Sequence, residues 1–187
     1  MSTFSIRDDE DGIARPVTVR VWDPLVRIFH WSLVIAFTIA WLTGDEIRRV
    51  HEVAGFLIAG LVAFRWIWGL VGSRRARFRD FVYQPRTVIA YLKDIVHHRA
   101  RRYVGHNPAG GAMVVALLVM LTVICTTGIM MTTNAFWGVE WVAGVHAICA
   151  NLILVLVGLH LAGVFAASVE HKENLVRAMI TGDKRAT

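Results

Sequence analysis

The chain has 187 residues, 56% of them hydrophobic, with a mean hydropathy of +0.52 and a formal net charge of +6. That hydropathy is high for a water-soluble domain and ordinary for helices in lipid. The basic residues gather in particular loops instead of along one face, which sets aside nucleic acid as a partner and fits membrane topology.

The chain opens on a polar leader carrying Arg7, Arg15 and Arg20. No small-residue cleavage site follows the first apolar run, so that run is expected to stay as an anchor and not to leave as a signal peptide. The apolar runs cover residues 25–43, 51–71, 109–133 and 141–168, and each is close to the roughly 20 residues that cross a bilayer. Between Glu140 and Glu170 there is no Asp, Glu, Lys or Arg. The first and second runs are joined by a short loop, as are the third and fourth, so each pair is expected to be antiparallel neighbours. The long connection, 72–108, carries Arg74, Arg75, Arg77, Arg79, Arg86, Lys93, Arg99, Arg101 and Arg102. The tail adds Lys172, Arg177, Lys184 and Arg185, whereas the short loops offer only Arg48 and Arg49. Positive charge marks the cytoplasmic side, which predicts a multi-pass protein of a bacterial inner membrane with both termini cytoplasmic. Within the long connection, 85–96 reads as a basic amphipathic helix on the membrane surface, with Val88, Leu92 and Ile95 on its apolar face. The fold class expected is all-α: an integral membrane four-helix bundle with a cytoplasmic amphipathic surface helix. Residues 1–187 form one domain in contact with membrane lipid.

Cys125 and Cys149 both lie in apolar runs and no CxxC occurs, so covalent haem attachment is excluded and packed thiols are expected. The histidines say more. Four of the eight, His30, His51, His146 and His160, sit within or at the ends of apolar runs. Ionisable residues in a span are costly and usually functional. His146 and His160 are fourteen residues apart. They therefore share a helix face, about 40° short of four turns, at depths roughly 21 Å apart. By topology His30 lies near the inner end of the first span and His51 at the outer end of the second. The depths match in two couples, His30 with His160 and His51 with His146. Two imidazoles facing across a gap suit the iron of a flat tetrapyrrole. Gly55 and Gly163, one turn from His51 and His160, would leave room for a ring, although glycines also serve plain helix packing. Arg65, fourteen residues after His51, shares its face near the inner couple and could pair with a propionate. Arg27, Arg48 and Arg49 read first as snorkelling or topology-setting charge.

The remaining candidates carry ordinary readings. His97, His98 and His171 are expected to be solvated, and His106 to cap the third span. Met130 and Met131 are packing residues, and the tryptophans at run ends are an interfacial belt. Two other functions compete: a histidine-based metal-ion or proton transporter, which needs ligands converging at one depth, and a haem-free anchor subunit.

The segments VWDPLVRIFHW (21–31), HEVAG (51–55), FRWIWGLVGSRRARF (64–78), GHNPAGG (105–111), HLAG (160–163) and ENLVRAMITG (173–182) resemble the bacterial cytochrome b561 family, which includes the b-type cytochrome subunits of nickel–iron hydrogenases. The resemblance covers nearly the whole chain. It implies two haem b groups with bis-histidine ligation by His30, His51, His146 and His160. It also implies electron exchange with a quinone as substrate and with a redox donor, which could be a hydrogenase, a cytochrome c or a small reductant such as superoxide. No motif here assigns the quinone residues.

Overall fold

The computed structural model describes residues 18–44, 46–97 and 99–185. The leader with Arg7 and Arg15, and also His98, lie outside the described residues. Four helices are long and apolar enough to cross a membrane: α1 (Pro24–Thr43), α2 (Arg48–Val71), α4 (Pro108–Met131) and α5 (Glu140–Glu170). Two shorter helices complete the set, α3 (Pro85–Val96) and α6 (Leu175–Thr181). The chain is thus an all-α membrane helical bundle, with one small addition. Strands β1 (Thr18–Arg20) and β2 (Asp183–Arg185) pair antiparallel, Val19 opposite Lys184, and tie the two ends of the chain together.

Local chemistry sets the helix starts. Asp23 accepts from the Leu25 amide at 2.8 Å and Pro24 opens α1. Asn107 accepts from the Gly110 amide at 2.7 Å and Pro108 opens α4. Each satisfies an amide that has no partner within its helix, and proline loses nothing at that position. Asn107 is therefore the cap expected of His106; the imidazole belongs elsewhere. Asn174 caps α6 through the Arg177 amide at 2.8 Å, and Gly182 stops it at φ +94°, where a side chain would be strained.

The bundle is two hairpins joined along one seam. α1 packs on α2, α5 packs on α4, and α2 meets α4. The seam holds Ala36, Ala40, Ala54, Ile58, Val62, Leu121 and Ile153. Small residues let these backbones approach, as is usual where lipid removes the hydrophobic drive between helices. The Trp66 indole N–H donates to Thr122 Oγ1 at 3.1 Å and pins α2 to α4. Outward faces are apolar and bare: Leu42, Leu70 and Phe165 are at least 70% exposed, a surface suited to hydrocarbon and not to water. α5 is the least covered, with only Val142 and Ile153 buried.

The long arginine-rich loop docks against one end of the bundle. Gly69 and Gly111 make this possible, because a Cβ at either would overlap the Phe78 ring or the Phe81 carbonyl oxygen. α3 corrects one expectation. Its inward residues are Val88, Tyr91 and Ile95, with Tyr91 buried, while Leu92 is exposed together with Ile89 and Val96. Two neighbouring apolar stripes run along this helix, one on α4 and one facing outward.

Candidate haem-binding site

The His51–His146 couple is formed by two hairpins bringing α2 and α5 together. His51, in the first turn of α2, and His146, in the second turn of α5, have ring centroids 6.2 Å apart with planes at 74°. Two imidazoles bound through nitrogen to one iron at about 2 Å place their centroids about 6 Å apart. The rings are also held in one tautomer. His51 Nδ1 lies 2.8 Å from the Ala40 carbonyl oxygen, and His146 Nδ1 lies 3.1 Å from the Ile124 carbonyl oxygen. A carbonyl only accepts, so each Nδ1 carries a proton, which leaves Nε2 as the nitrogen through which either ring could ligate a metal. A carbonyl-oriented imidazole is the usual state of a metal-ligating histidine. Two glycines bound these rings: a Cβ at Gly44 would lie 3.6 Å from His51 Nδ1, and one at Gly128 would lie 3.2 Å from His146 Cε1.

The second expected couple is His30 with His160. His30 on α1 lies within electrostatic reach of His160 on α5, and its Nδ1 is buried without a partner. The His30 ring stands edge-on to Trp31 at 5.2 Å. Arg65 is 2% exposed, and its guanidinium lies 5.0 Å above the Phe78 ring and 5.7 Å from Phe81. One of its terminal nitrogens is buried with no hydrogen-bond partner. A buried cation left like this is costly unless an anion completes it.

His106 is the residue the sequence placed wrongly. Its half-buried ring sits between Trp22 at 4.7 Å and Phe81 at 4.5 Å. Burial, then the charges of Arg65, Lys184 and His160, push its pKa down to about 3, so the ring is neutral at pH 7. Other candidates are otherwise engaged. The Arg27 guanidinium donates to the Ile180 carbonyl oxygen at the end of α6. Arg48 pairs with Glu52 at 2.7 Å and lies 4.7 Å over Trp137. His97 is exposed and bonds its own helix at Lys93. His171 is half-buried, its carbonyl accepting from Arg185 at 3.0 Å. Both cysteines are free thiols. At Gly55 and Gly163 an added Cβ would meet nothing within 4 Å, so open space adjoins both expected positions.

Residues 21–182 match the family described as prokaryotic cytochrome b561. The chain belongs to that family. It is similar to a probable Ni/Fe-hydrogenase B-type cytochrome subunit of Rhodobacter capsulatus, 25% identical over 95% of this chain and 86% of the relative. A protein of the same description from Bradyrhizobium diazoefficiens is 23% identical, covering 94% and 89%. A third, from Azotobacter vinelandii, is 23% identical over 55% of this chain and 54% of its own. No solved structure matches the chain. As a cytochrome b561 it is a membrane-embedded b-type cytochrome that works in electron transfer. The residues present fit haem b: facing imidazoles with each Nδ1 on a carbonyl, a buried cation lacking a hydrogen-bond partner, and glycines against the His51 and His146 rings.

Proposed function

We propose that this cytochrome b561 holds two b haems at two depths and relays electrons between a partner on the periplasmic side and quinone in the inner membrane. His51 and His146 would hold one haem, His30 and His160 the other. The observation that carries this reading is the facing of His51 and His146 at 6.2 Å with both Nδ1 protons tied to carbonyls. Haem iron with two imidazole ligands cycles between ferric and ferrous and has no vacant position for a substrate. Arg65 would meet a propionate of the inner group, and Gly55 and Gly163 would leave space for the rings. The fourteen-residue separation of His146 and His160 sets the two levels roughly 21 Å apart along α5.

Orientation follows the arginines and lysines, with both termini cytoplasmic and the His51–His146 couple toward the periplasm. Residues 1–187 would act as one membrane unit. A hydrogenase is the donor favoured by the likeness to Ni/Fe-hydrogenase B-type cytochrome subunits; a cytochrome c or a small reductant would meet the same outer couple. Among the described residues no three His, Cys, Asp or Glu side chains converge, so a transporter-type metal site at one depth finds no donor set.

The test is haem stoichiometry. Protein purified from haem-replete cells should give two non-covalent b haems per chain by pyridine haemochrome, both with low-spin bis-histidine spectra. A ratio of one or none would sink the reading.

A further inference from the structure

Threonines that bond back to their own helix are common in spans, and Thr38, Thr122 and Thr126 do so here. Thr127 does something else as well. It is 5% exposed, its hydroxyl proton is committed to the Val123 and Ile124 carbonyls at 2.9 and 3.0 Å, and its oxygen lies 3.1 Å from His146 Nδ1. With its proton so placed, Oγ1 can only accept from the Nδ1–H. His146 therefore has two acceptors on α4, the Ile124 carbonyl and Thr127 Oγ1, whereas His51 has the Ala40 carbonyl. The next residue, Gly128, has no side chain to lift the ring away from this pair of oxygens.

We propose that Thr127 is a positioning residue for the haem ligand His146: by accepting its Nδ1 proton it fixes the ring and raises the basicity of Nε2, which lowers the reduction potential of the outer haem. This rests on the bis-histidine reading above. The physical basis is general. A second oxygen on the ligand's N–H gives the imidazole more anionic character, and that favours ferric over ferrous iron. Valine has the shape of threonine but puts a methyl where Oγ1 stood. Serine keeps the oxygen and drops the methyl.

The experiment is a spectroscopic redox titration of purified wild type, Thr127→Val and Thr127→Ser, with haem content and low-temperature EPR on each. Thr127→Val should raise the midpoint of one b component, shift its low-spin EPR signal and leave the other component in place. Loss of that one component in Thr127→Val, with both retained in Thr127→Ser, supports the assignment equally. Thr127→Ser should match wild type in midpoint and EPR. Wild-type midpoints for both components in Thr127→Val would overturn the proposal while leaving the di-haem reading intact. Thr127→Ser behaving like Thr127→Val would overturn it too, since the methyl and not the oxygen would then matter. A wild type with a single haem component would overturn the reading beneath it.

Discussion

Glu173 offers the sharpest test of how the end of the bundle that carries β1 and β2 is closed. Its carboxylate is 6% exposed and accepts from Arg102 at 3.2 Å, Lys184 at 3.4 Å and the Arg185 amide at 3.0 Å. Three separate stretches meet there: the long loop, the turn after α5 and strand β2. Lys184 is 5% exposed, and its other partner is the Tyr103 carbonyl at 3.3 Å. Glu173→Gln keeps the shape and removes the charge, leaving Lys184 buried with no anion. Breaking a buried pair costs about 3–5 kcal/mol. Arg102 reaches water, at 24% exposure, and trims this to about 2–3 kcal/mol. At 1.36 kcal/mol per tenfold, local opening should rise about 30- to 150-fold. Hydrogen–deuterium exchange on peptides 18–22 and 173–185 reads it directly, because the Val21 and Trp22 amides bond the Gly182 carbonyl. Glu173→Leu with Lys184→Met should recover most of the protection, since no charge then stays buried. The sign with pH is fixed as well. Burial pushes the Glu173 pKa up, but the Arg185 amide and the Lys184 and Arg102 charges outweigh it and hold it below the ordinary value. A depressed carboxylate stabilises the fold above its unfolded pKa of about 4.5 and loses that contribution as pH falls through the folded value. Pepsin should therefore cut the tail increasingly as pH falls below about 4.5 in wild type, while Glu173→Gln, with no carboxylate to protonate, should lack this step. Unchanged exchange in Glu173→Gln would refute the reasoning.

Two glycines beside the outer couple should behave differently. Gly128→Ala puts a Cβ 3.2 Å from His146 Cε1 and should broaden or shift one low-spin EPR signal, while Gly44→Ala, at 3.6 Å from His51, should leave both signals unchanged. Equal effects would contradict the geometry. Arg65→Gln removes a buried cation beside the inner couple, so one b component should titrate at a lower midpoint and wash out more readily in detergent. An unchanged midpoint with full haem retention would argue that Arg65 meets no propionate.

Much of this was legible in the letters, for reasons that differ by element. The spans could be read because lipid demands long apolar runs, and their ends moved by only a few residues: α4 stops at Met131, short of residue 133, and α2 begins at Arg48, ahead of residue 51. The meeting of His51 with His146 was readable from helix rise and the alternating direction of the spans. What orients His51 and His146 did not, because the carbonyls of Ala40 and Ile124 are backbone atoms that every residue owns. Thr127 and Gly128 were a readable clue, a small polar pair inside an apolar run, but only tertiary contact gives it meaning. Helix α6 also had its signs, Asn174 before it and Gly182 after, and these were passed over in a charged tail. The β1–β2 pairing had none, since three-residue strands at opposite ends of the chain share no local pattern. On α3 Val88 and Ile95 share a face as expected, but Tyr91 completes it in place of Leu92, which lies with Ile89 and Val96 on a second stripe. The place of His106 before Asn107-Pro108 suggests a cap, and the aromatic slot between Trp22 and Phe81 exists only once the loop is folded.

The pairing of imidazoles is best measured by replacing one member of each couple. His51→Ala should abolish one b-haem component in the low-temperature alpha band and keep the other, and His160→Ala should do the reverse. If both replacements removed the same component, or neither removed any, the histidines would not be paired as the fold arranges them.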